Sequence, residues 1–180
     1  MSLIDPLLAV QNVDMEIWRL QNELKDLPAR KRAEENNLQD AVRRQLELEE
    51  APVEEDRGAE AAAKLAAQKA AITAEISDVK NFLDEIIERR NEVKAKIAAL
   101  EAERAKLAAN VNPQHLRIYD HQRVSRHPTI VALVNNTCSG CHLAQPPAVR
   151  YTIWRDTELV LCEMCGRILY TTETPKPREK

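Results

Sequence analysis

A long apolar stripe with alternating spacings of three and four residues constrains this chain more than any other sequence feature. Three charged residues, Lys69, Arg90 and Arg104, complete the series without breaking its phase. A repeat that averages 3.5 residues over this length is typical of a coiled-coil seam rather than of an ordinary surface helix. Its apolar positions are Leu65, Ile72, Ile76, Val79, Leu83, Ile86, Val93, Ile97, Leu100, Leu107 and Val111.

The first part of the chain keeps the same rhythm. Its stripe is strongly apolar at the start and poorly apolar in the middle, and Pro28 inside it predicts a kink. The positions are Leu3, Leu7, Val10, Asp14, Ile17, Gln21, Leu24, Pro28, Lys31, Glu35, Leu38 and Val42.

The stretch 51–58 separates the two stripes and contains a proline, a glycine and three acids. Helix breakers at this place predict the tip of an antiparallel hairpin. Folding there pairs positions whose numbers sum to about 110 at equal rise along both helices. Asp14 then falls opposite Ile97, either as a registry device or as an exposed docking carboxylate.

Composition supports long helices over a turn-rich or large globular fold. The chain has three glycines and 3% aromatic residues, too few for many tight turns or a large core. The net charge of −3 means that any nucleic-acid binding must be local. No apolar run approaches the roughly 18 residues that span a bilayer, and the first residues lack a signal peptide's positive region. We therefore expect a cytoplasmic protein without membrane insertion.

All four cysteines lie near the carboxyl end as two Cys-x-x-Cys pairs, Cys138 with Cys141 and Cys162 with Cys165. This spacing turns both thiolates of a pair toward one ion, and two pairs complete a tetrahedral site. The sequence therefore predicts one structural Zn²⁺. A thioredoxin-like redox pair would need a βαβ setting, and catalytic zinc usually keeps an open position. His142 could replace a ligand but is more simply a surface residue.

The region after the second stripe predicts a short helix and then strands. Asn112 followed by Pro113 is a typical helix start, and that helix should run through Val124. Segments rich in Val, Ile, Thr, Tyr and Trp predict strands at 129–134, 149–154, 158–161 and 168–172.

These patterns predict a mostly α protein with a small β domain, a long antiparallel coiled-coil hairpin followed by a four-cysteine zinc ribbon. Residues 1–111 form the hairpin, 112–173 the short helix and zinc ribbon, and 174–180 a disordered tail.

Three runs of the chain resemble one family. The opening run from Leu8 to Ile17, the run from Pro113 to Arg123, and Cys162-Glu-Met-Cys-Gly-Arg-Ile-Leu-Tyr170 are similar to the bacterial C4-type zinc-ribbon family with an N-terminal coiled-coil hairpin. Glu163 departs from the proline often found there, and the hairpin is shorter than usual.

The resemblance implies an interaction protein associated with flagellar or type III secretion gene control. It implies binding to a sigma-54-type sigma factor or to secretion components, and in one branch a link to messenger RNA. The limited core of a two-helix hairpin also leaves flanks that can pair with a second copy as a homodimer.

Two function classes stay open from the residues. A protein adaptor would use the hairpin surface and its acidic tip. The alternative is RNA or DNA binding by the ribbon region, where arginines hold phosphates and aromatics stack bases. The tentative binding residues are Arg117, Arg123, Arg126, Arg150, Arg155 and Arg167.

Enzyme activity is not expected, because the chain has no glycine-rich phosphate loop and no nucleophile motif. Its histidines also have no evident carboxylate partner in sequence.

Overall fold

The computed structural model describes residues 2–50 and 59–173, so the predicted hairpin tip and tail lie outside the described residues. The fold class is confirmed: two long helices precede a small region of strands that holds the four cysteines. The elements are α1 (Asp5–Glu50), α2 (Ala59–Ala108), α3 (Pro113–Arg123), β1 (Ile130–Val134), β2 (Thr137–Cys138), α4 (Pro147–Arg155), β3 (Val160–Leu161) and β4 (Ile168–Tyr170).

The chain divides into two compact units. Unit 1 consists of Met1–Arg19 with Ala98–Lys180, and unit 2 is Leu20–Ile97. Among the described residues, none of the helices is long and apolar enough to span a membrane.

Unit 2 is an antiparallel pair formed by the facing segments of α1 and α2. Arg89 binds Glu23 at 2.6 Å, and Arg44 binds Glu75 at the same distance near the other end of the unit. Residue numbers rise along one helix as they fall along the other, so the helices are antiparallel as the two stripes predict. The numbers of the first pair sum to 112, close to the predicted 110, whereas those of the second sum to 119.

The stripe on α2 is confirmed by burial. Ile76, Ile86 and Val93 are buried, and the other apolar stripe positions of this helix are at least half-buried. Of the three charged stripe positions, Arg90 is exposed, whereas Lys69 and Arg104 are at least half-buried.

The stripe on α1 differs from the prediction by one position in its second half. Leu20, Leu27 and Ala41 are buried, whereas Gln21, Pro28 and Val42 are exposed. Positions 17, 24, 31 and 38 of the predicted stripe stay at least half-buried, and the alternate seam positions lie three residues after 17, 24 and 38 instead of four. Leu20 and Leu27 bury more apolar area there than Gln21 and Pro28 would. Pro28 stays inside a continuous α1, with its ring on the exposed side.

The pairing of the helices is shifted by seven residues from the prediction in unit 1. Asp14 binds Arg104 at 2.7 Å instead of facing Ile97. A shift by one heptad leaves both stripes in phase, so the repeat by itself cannot distinguish the two registers.

Unit 1 has a core in which the ends of the long helices meet α3 and the sheet. Helix α3 starts as predicted, because the Oδ1 atom of Asn112 accepts a hydrogen bond from the Gln114 amide at 2.9 Å and Pro113 follows the cap. The core residues are Leu7, Val10, Val111, Tyr119, Ile130 and Ile168.

A four-stranded sheet with the order β2-β1-β4-β3 completes this unit. Strand β1 pairs antiparallel with β2 and parallel with β4, and β3 pairs antiparallel with β4. The sheet brings β2 and β3, which lead into the two cysteine pairs, into one layer.

The strand predicted at 149–154 is wrong, because this segment is helix α4. Pro146 and Pro147 set the backbone angle that begins a helix, and Asp156 ends it with a φ of 50°. Val149 and Ile153, four residues apart, pack on one core, which is helical periodicity. The twenty residues between the cysteine pairs therefore hold a helix and one strand rather than two strands.

Candidate metal centre

The four cysteine Sγ atoms of the two pairs lie within 4.8 Å of one another. The Sγ atoms of Cys138 and Cys165 are 3.9 Å apart, and those of Cys141 and Cys162 are 3.8 Å apart. Tetrahedral coordination with Zn–S bonds near 2.3 Å requires Sγ separations of about 3.8 Å. The cluster therefore fits one structural Zn²⁺ held by four thiolates.

Each cysteine pair sits in a tight backbone turn that aims both side chains at the same point. The amide of His142 donates to the Cys138 carbonyl at 2.8 Å, and the amide of Gly166 donates to the Cys162 carbonyl at 2.7 Å. We call these two turns, 138–143 and 162–167, the zinc knuckles. Their matching hydrogen bonds explain why the same spacing occurs twice in the sequence.

Two glycines are required by this geometry. A Cβ atom on Gly140 would lie 2.5 Å from the Arg167 Cδ atom, and Gly166 has a φ of 70°. A side chain would therefore crowd the first position and strain the second.

Arg167 and Arg126 hold the knuckles to the surrounding chain. The Nε atom of Arg167 donates to the Pro128 carbonyl at 2.9 Å, and its Nη1 atom donates to the Gly140 carbonyl at 3.3 Å. The Nε atom of Arg126 donates to the Cys165 carbonyl. Both guanidinium groups thus bring positive charge next to the thiolates.

The surroundings act differently on the pKa values of the thiols. Burial raises the pKa of Cys138 to about 12. Burial also acts upward at Cys165, but hydrogen bonds from Arg167, Cys162 and Cys141 together outweigh it and lower that pKa to about 6. Zinc must therefore displace a proton from the buried thiol of Cys138 when it binds at neutral pH.

The six candidate binding arginines have different surroundings. Arg126 and Arg167 donate to backbone carbonyls, as described above. Arg123 binds Asp14 at 3.2 Å, and Arg150 binds Glu173 at 3.1 Å. Arg117 and Arg155 are exposed. Four of the six therefore have partners inside unit 1, and a role of the set in nucleic-acid binding stays a prediction.

A buried polar cluster around Asp14 was recognised only in part from the sequence. The Asp14 carboxylate accepts from Arg104 at 2.7 Å, from Arg123 at 3.2 Å and from the Tyr119 hydroxyl at 2.9 Å. Asp14 is only 6% exposed, so it is the structural residue of the two alternatives and not a docking carboxylate. Burial, followed by the Asp14 charge, raises the pKa of Tyr119.

Gln11 is a second polar residue that sequence reasoning missed. It is buried, and its side chain exchanges two hydrogen bonds with the backbone of Ile130, at 2.5 and 3.0 Å. This pair of bonds fixes the start of β1 on α1. The sequence signal for this role was the spacing of Gln11 and Asp14, two polar residues three positions apart on an otherwise apolar helix face.

The zinc knuckles leave apolar side chains in solvent. Leu143 is 45% exposed, Leu161 is 37% exposed and Met164 is 66% exposed. Leu143 follows Cys141 by two residues, Leu161 directly precedes Cys162, and Met164 follows Cys162 by two residues. We call them the knuckle patch.

Comparison with known proteins agrees with the metal centre. Residues 137–169 match the family model of the C4-type zinc ribbon domain. No curated protein sequence matches the chain significantly.

Three solved structures are similar to most of the chain. CT398 from Chlamydia trachomatis has a TM-score of 0.50 and 18% identity, covering 94% of this chain and 98% of that one. The HP0958 protein from Helicobacter pylori has a TM-score of 0.37 and 17% identity, covering 96% of this chain and 86% of that one. A Mycobacterium smegmatis protein has a TM-score of 0.32 and 18% identity, covering 94% of this chain and 85% of that one. The first of these supports the fold; the cysteine geometry and the family match together identify a C4 zinc ribbon with one structural zinc ion.

Proposed function

We propose that this chain is a non-enzymatic cytoplasmic adaptor that binds a protein partner through its zinc ribbon. The knuckle patch carries the proposal. Its three large apolar side chains lie within two residues of a zinc ligand in the sequence and remain 37 to 66% exposed. Apolar groups that cluster on a polar surface mark interaction sites more often than scattered single residues do, and we infer that these three form such a cluster when the knuckles are held by the metal.

The ligand set supports a binding role over a catalytic one. Four thiolates fill the tetrahedral positions of zinc and leave none for a substrate or an activated water. The ion then serves to hold both knuckles, and with them the patch, in a fixed arrangement.

The chemistry of the patch indicates the kind of partner. Glu163 is exposed between Cys162 and Met164, so the patch combines apolar area with negative charge. A partner segment with apolar anchors and flanking Lys or Arg would complement both properties. The family resemblance makes a sigma-54-type sigma factor the first partner to test, and flagellar or type III secretion components the next.

The test uses the zinc-loaded full chain as immobilised bait and these purified proteins as prey. The double variant Leu143→Ser/Met164→Ser should lose at least tenfold in affinity for the partner, and Cys162→Ser should also lose binding. Val124→Ser is the matched control, because Val124 is an apolar side chain of the same unit that is 80% exposed and lies outside the patch.

Equal binding by the wild-type chain and the double variant would contradict the patch as the recognition site. If none of these proteins binds, the partner assignment fails. Binding of RNA that weakens steeply with salt and is lost in Arg117→Ala/Arg155→Ala would instead favour the nucleic-acid alternative.

A further inference from the structure

Unit 2 exposes an apolar pair on one side of α1 near the end of that helix. Val42 is 38% exposed and Leu46, one turn later, is 51% exposed. The neighbouring face of α2 carries small exposed residues, Ala66, Ala70 and Thr73. We call Val42 and Leu46 the distal patch. Its small neighbours leave room for another helix to approach closely.

The same side of unit 2 has an apolar cleft between α1 and α2. Its walls are formed by Leu27 and Pro28 on one helix and by Ile86 and Ile87 on the other. Ile87 is 45% exposed. We call this the proline cleft. Pro28 and Leu46 are eighteen residues apart, which is five helical turns, so they lie on the same side of α1.

The two sites carry opposite charges at their edges. Lys31 and Arg90 rim the proline cleft. Glu49 is exposed one turn after the distal patch. Lys31 forms an ion pair with Glu35 at 2.9 Å, so the exposed Arg90 is the main positive charge at the rim of the cleft. A projecting apolar pair with an acid and an apolar cleft with a base are complementary in shape and in charge.

One molecule cannot join these two sites. The 2.6 Å bond between Arg44 and Glu75 fixes the level of the distal patch on α2. Ile87 lies twelve residues beyond Glu75, about 18 Å along the helix at 1.5 Å per residue. A contact between the distal patch and a proline cleft therefore requires two chains.

We propose that a second copy of this chain docks on this side of unit 2, antiparallel to the first, with each distal patch in the partner's proline cleft. A twofold interface of this kind is self-complementary, so one patch-to-cleft contact generates the second. Two copies thus cover all four exposed apolar sites at once. The inference is independent of the proposed adaptor function, which uses the knuckle patch of unit 1.

Disulfide trapping tests the geometry in the zinc-loaded full chain, in which the four native thiols are metal ligands. Leu46→Cys/Ile87→Cys should form a covalent dimer under mild oxidation. Each single variant should form far less, because a disulfide requires Cα atoms within about 7 Å and the twofold axis separates identical residues. Equal cross-linking by the single variants would overturn the antiparallel arrangement.

Mass measurement by light scattering provides the second test. The wild-type chain should have twice its mass of 20.4 kDa, and Leu46→Glu and Ile87→Glu should each be monomeric. Ala71→Glu is the control, since Ala71 is exposed and lines a different groove between the helices. The combined Leu46→Glu/Ile87→Lys variant should recover the dimer, because it restores opposite charges across both contacts.

Far-UV circular dichroism establishes that each variant is folded. A wild-type chain that stays monomeric up to about 100 μM, where even weak specific dimers form, would overturn the proposal. A dimer that persists in both single glutamate variants would overturn it as well.

Discussion

Asp14 is a carboxylate that sits almost entirely out of water inside unit 1. Its position is tolerated because the guanidinium groups of Arg104 and Arg123 and the Tyr119 hydroxyl donate to it. Burial of an unpaired charge would cost several kcal/mol, so the whole cluster must assemble together. At the scale of single residues, this cluster fixes the register of the two long helices in unit 1.

Replacement of Asp14 by alanine should therefore be strongly destabilising. We expect the free energy of unfolding to fall by about 2 kcal/mol, because the buried Tyr119 hydroxyl loses its acceptor and the two arginines keep only Asp120 as a shared partner. Urea titration followed by tryptophan fluorescence measures this, as both tryptophans lie in unit 1. The control Glu16→Ala removes only an exposed pair with Arg19 and should change stability by less than about 1 kcal/mol. Equal effects of the two variants would contradict a structural role of Asp14.

Tyr119 should make stability depend on alkaline pH. Burial and the Asp14 charge raise its pKa above the unfolded value of about 10, so the unfolded state loses its proton first. This contribution to stability is complete below pH 10 and is lost as the pH rises further. Tyr119→Phe should unfold with a weaker dependence above pH 10, measured by urea titrations at several pH values. An unchanged dependence would mean that the hydroxyl is not buried against the carboxylate.

At the scale of elements, local sequence and tertiary setting compete most clearly in α4. Val149, Ile153 and Trp154 favour a strand by their side chains, but Pro147 at the helix start and the four-residue spacing of Val149 and Ile153 fit a helix. The segment is a helix because both side chains then reach the core beside the zinc ligands. The short strands β3 and β4 pair beside the same core, in which Leu169 of β4 is buried.

In α1, by contrast, a residue that disfavours a helix, Pro28, lies inside one. It lies on the exposed side of a continuous helix, where it removes one backbone hydrogen bond. Pro28→Ala should raise the free energy of unfolding of unit 2, by up to about 3 kcal/mol, and thermal melts followed at 222 nm measure the change. Ala29→Gly at the adjacent exposed position should instead lower it by about 1 kcal/mol. A loss of stability in Pro28→Ala would mean that the apolar contacts of the ring in the proline cleft outweigh the missing hydrogen bond.

At the scale of the whole molecule, the metal centre and the helical pair of unit 2 depend on different interactions. The core around Cys138 and Cys162 is small, and zinc binding supplies much of the stability of such sites. Unit 2 is held instead mainly by its apolar seam, which includes Ile76, Ile86 and Val93. The two units should therefore respond differently to loss of the metal.

Removal of zinc by a chelator should unfold the ribbon and spare unit 2. We expect one zinc per chain by elemental analysis, and loss of amide-exchange protection in β1 and β4 after chelation, with protection in residues 65–90 retained. Zinc should also be released on acidification, because protons compete for the four thiolates. Cys162→Ser should reproduce the chelated state. Retained protection in β1 and β4 without zinc would contradict a structural role of the metal.

The sequence by itself determined the parts of this protein that depend on local chemistry. A repeat of three and four determined the helical pair, two Cys-x-x-Cys pairs determined the zinc ligands, and Asn112 with Pro113 determined the start of α3. In each case the physical cause acts within a few residues of the chain, so the pattern is visible without the fold.

Only the tertiary structure decided the features that depend on which distant groups meet. A shift by one heptad leaves both apolar stripes in contact, so the stripes alone do not determine the register of α1 and α2. The hydrogen bonds of Asp14 with Arg104 and Tyr119 determine it in unit 1. The shift of the α1 face to Leu27 and the helical state of α4 were likewise decided by the cores they pack against. These choices balance nearly equal local preferences, and burial against distant residues supplies the free energy that separates them.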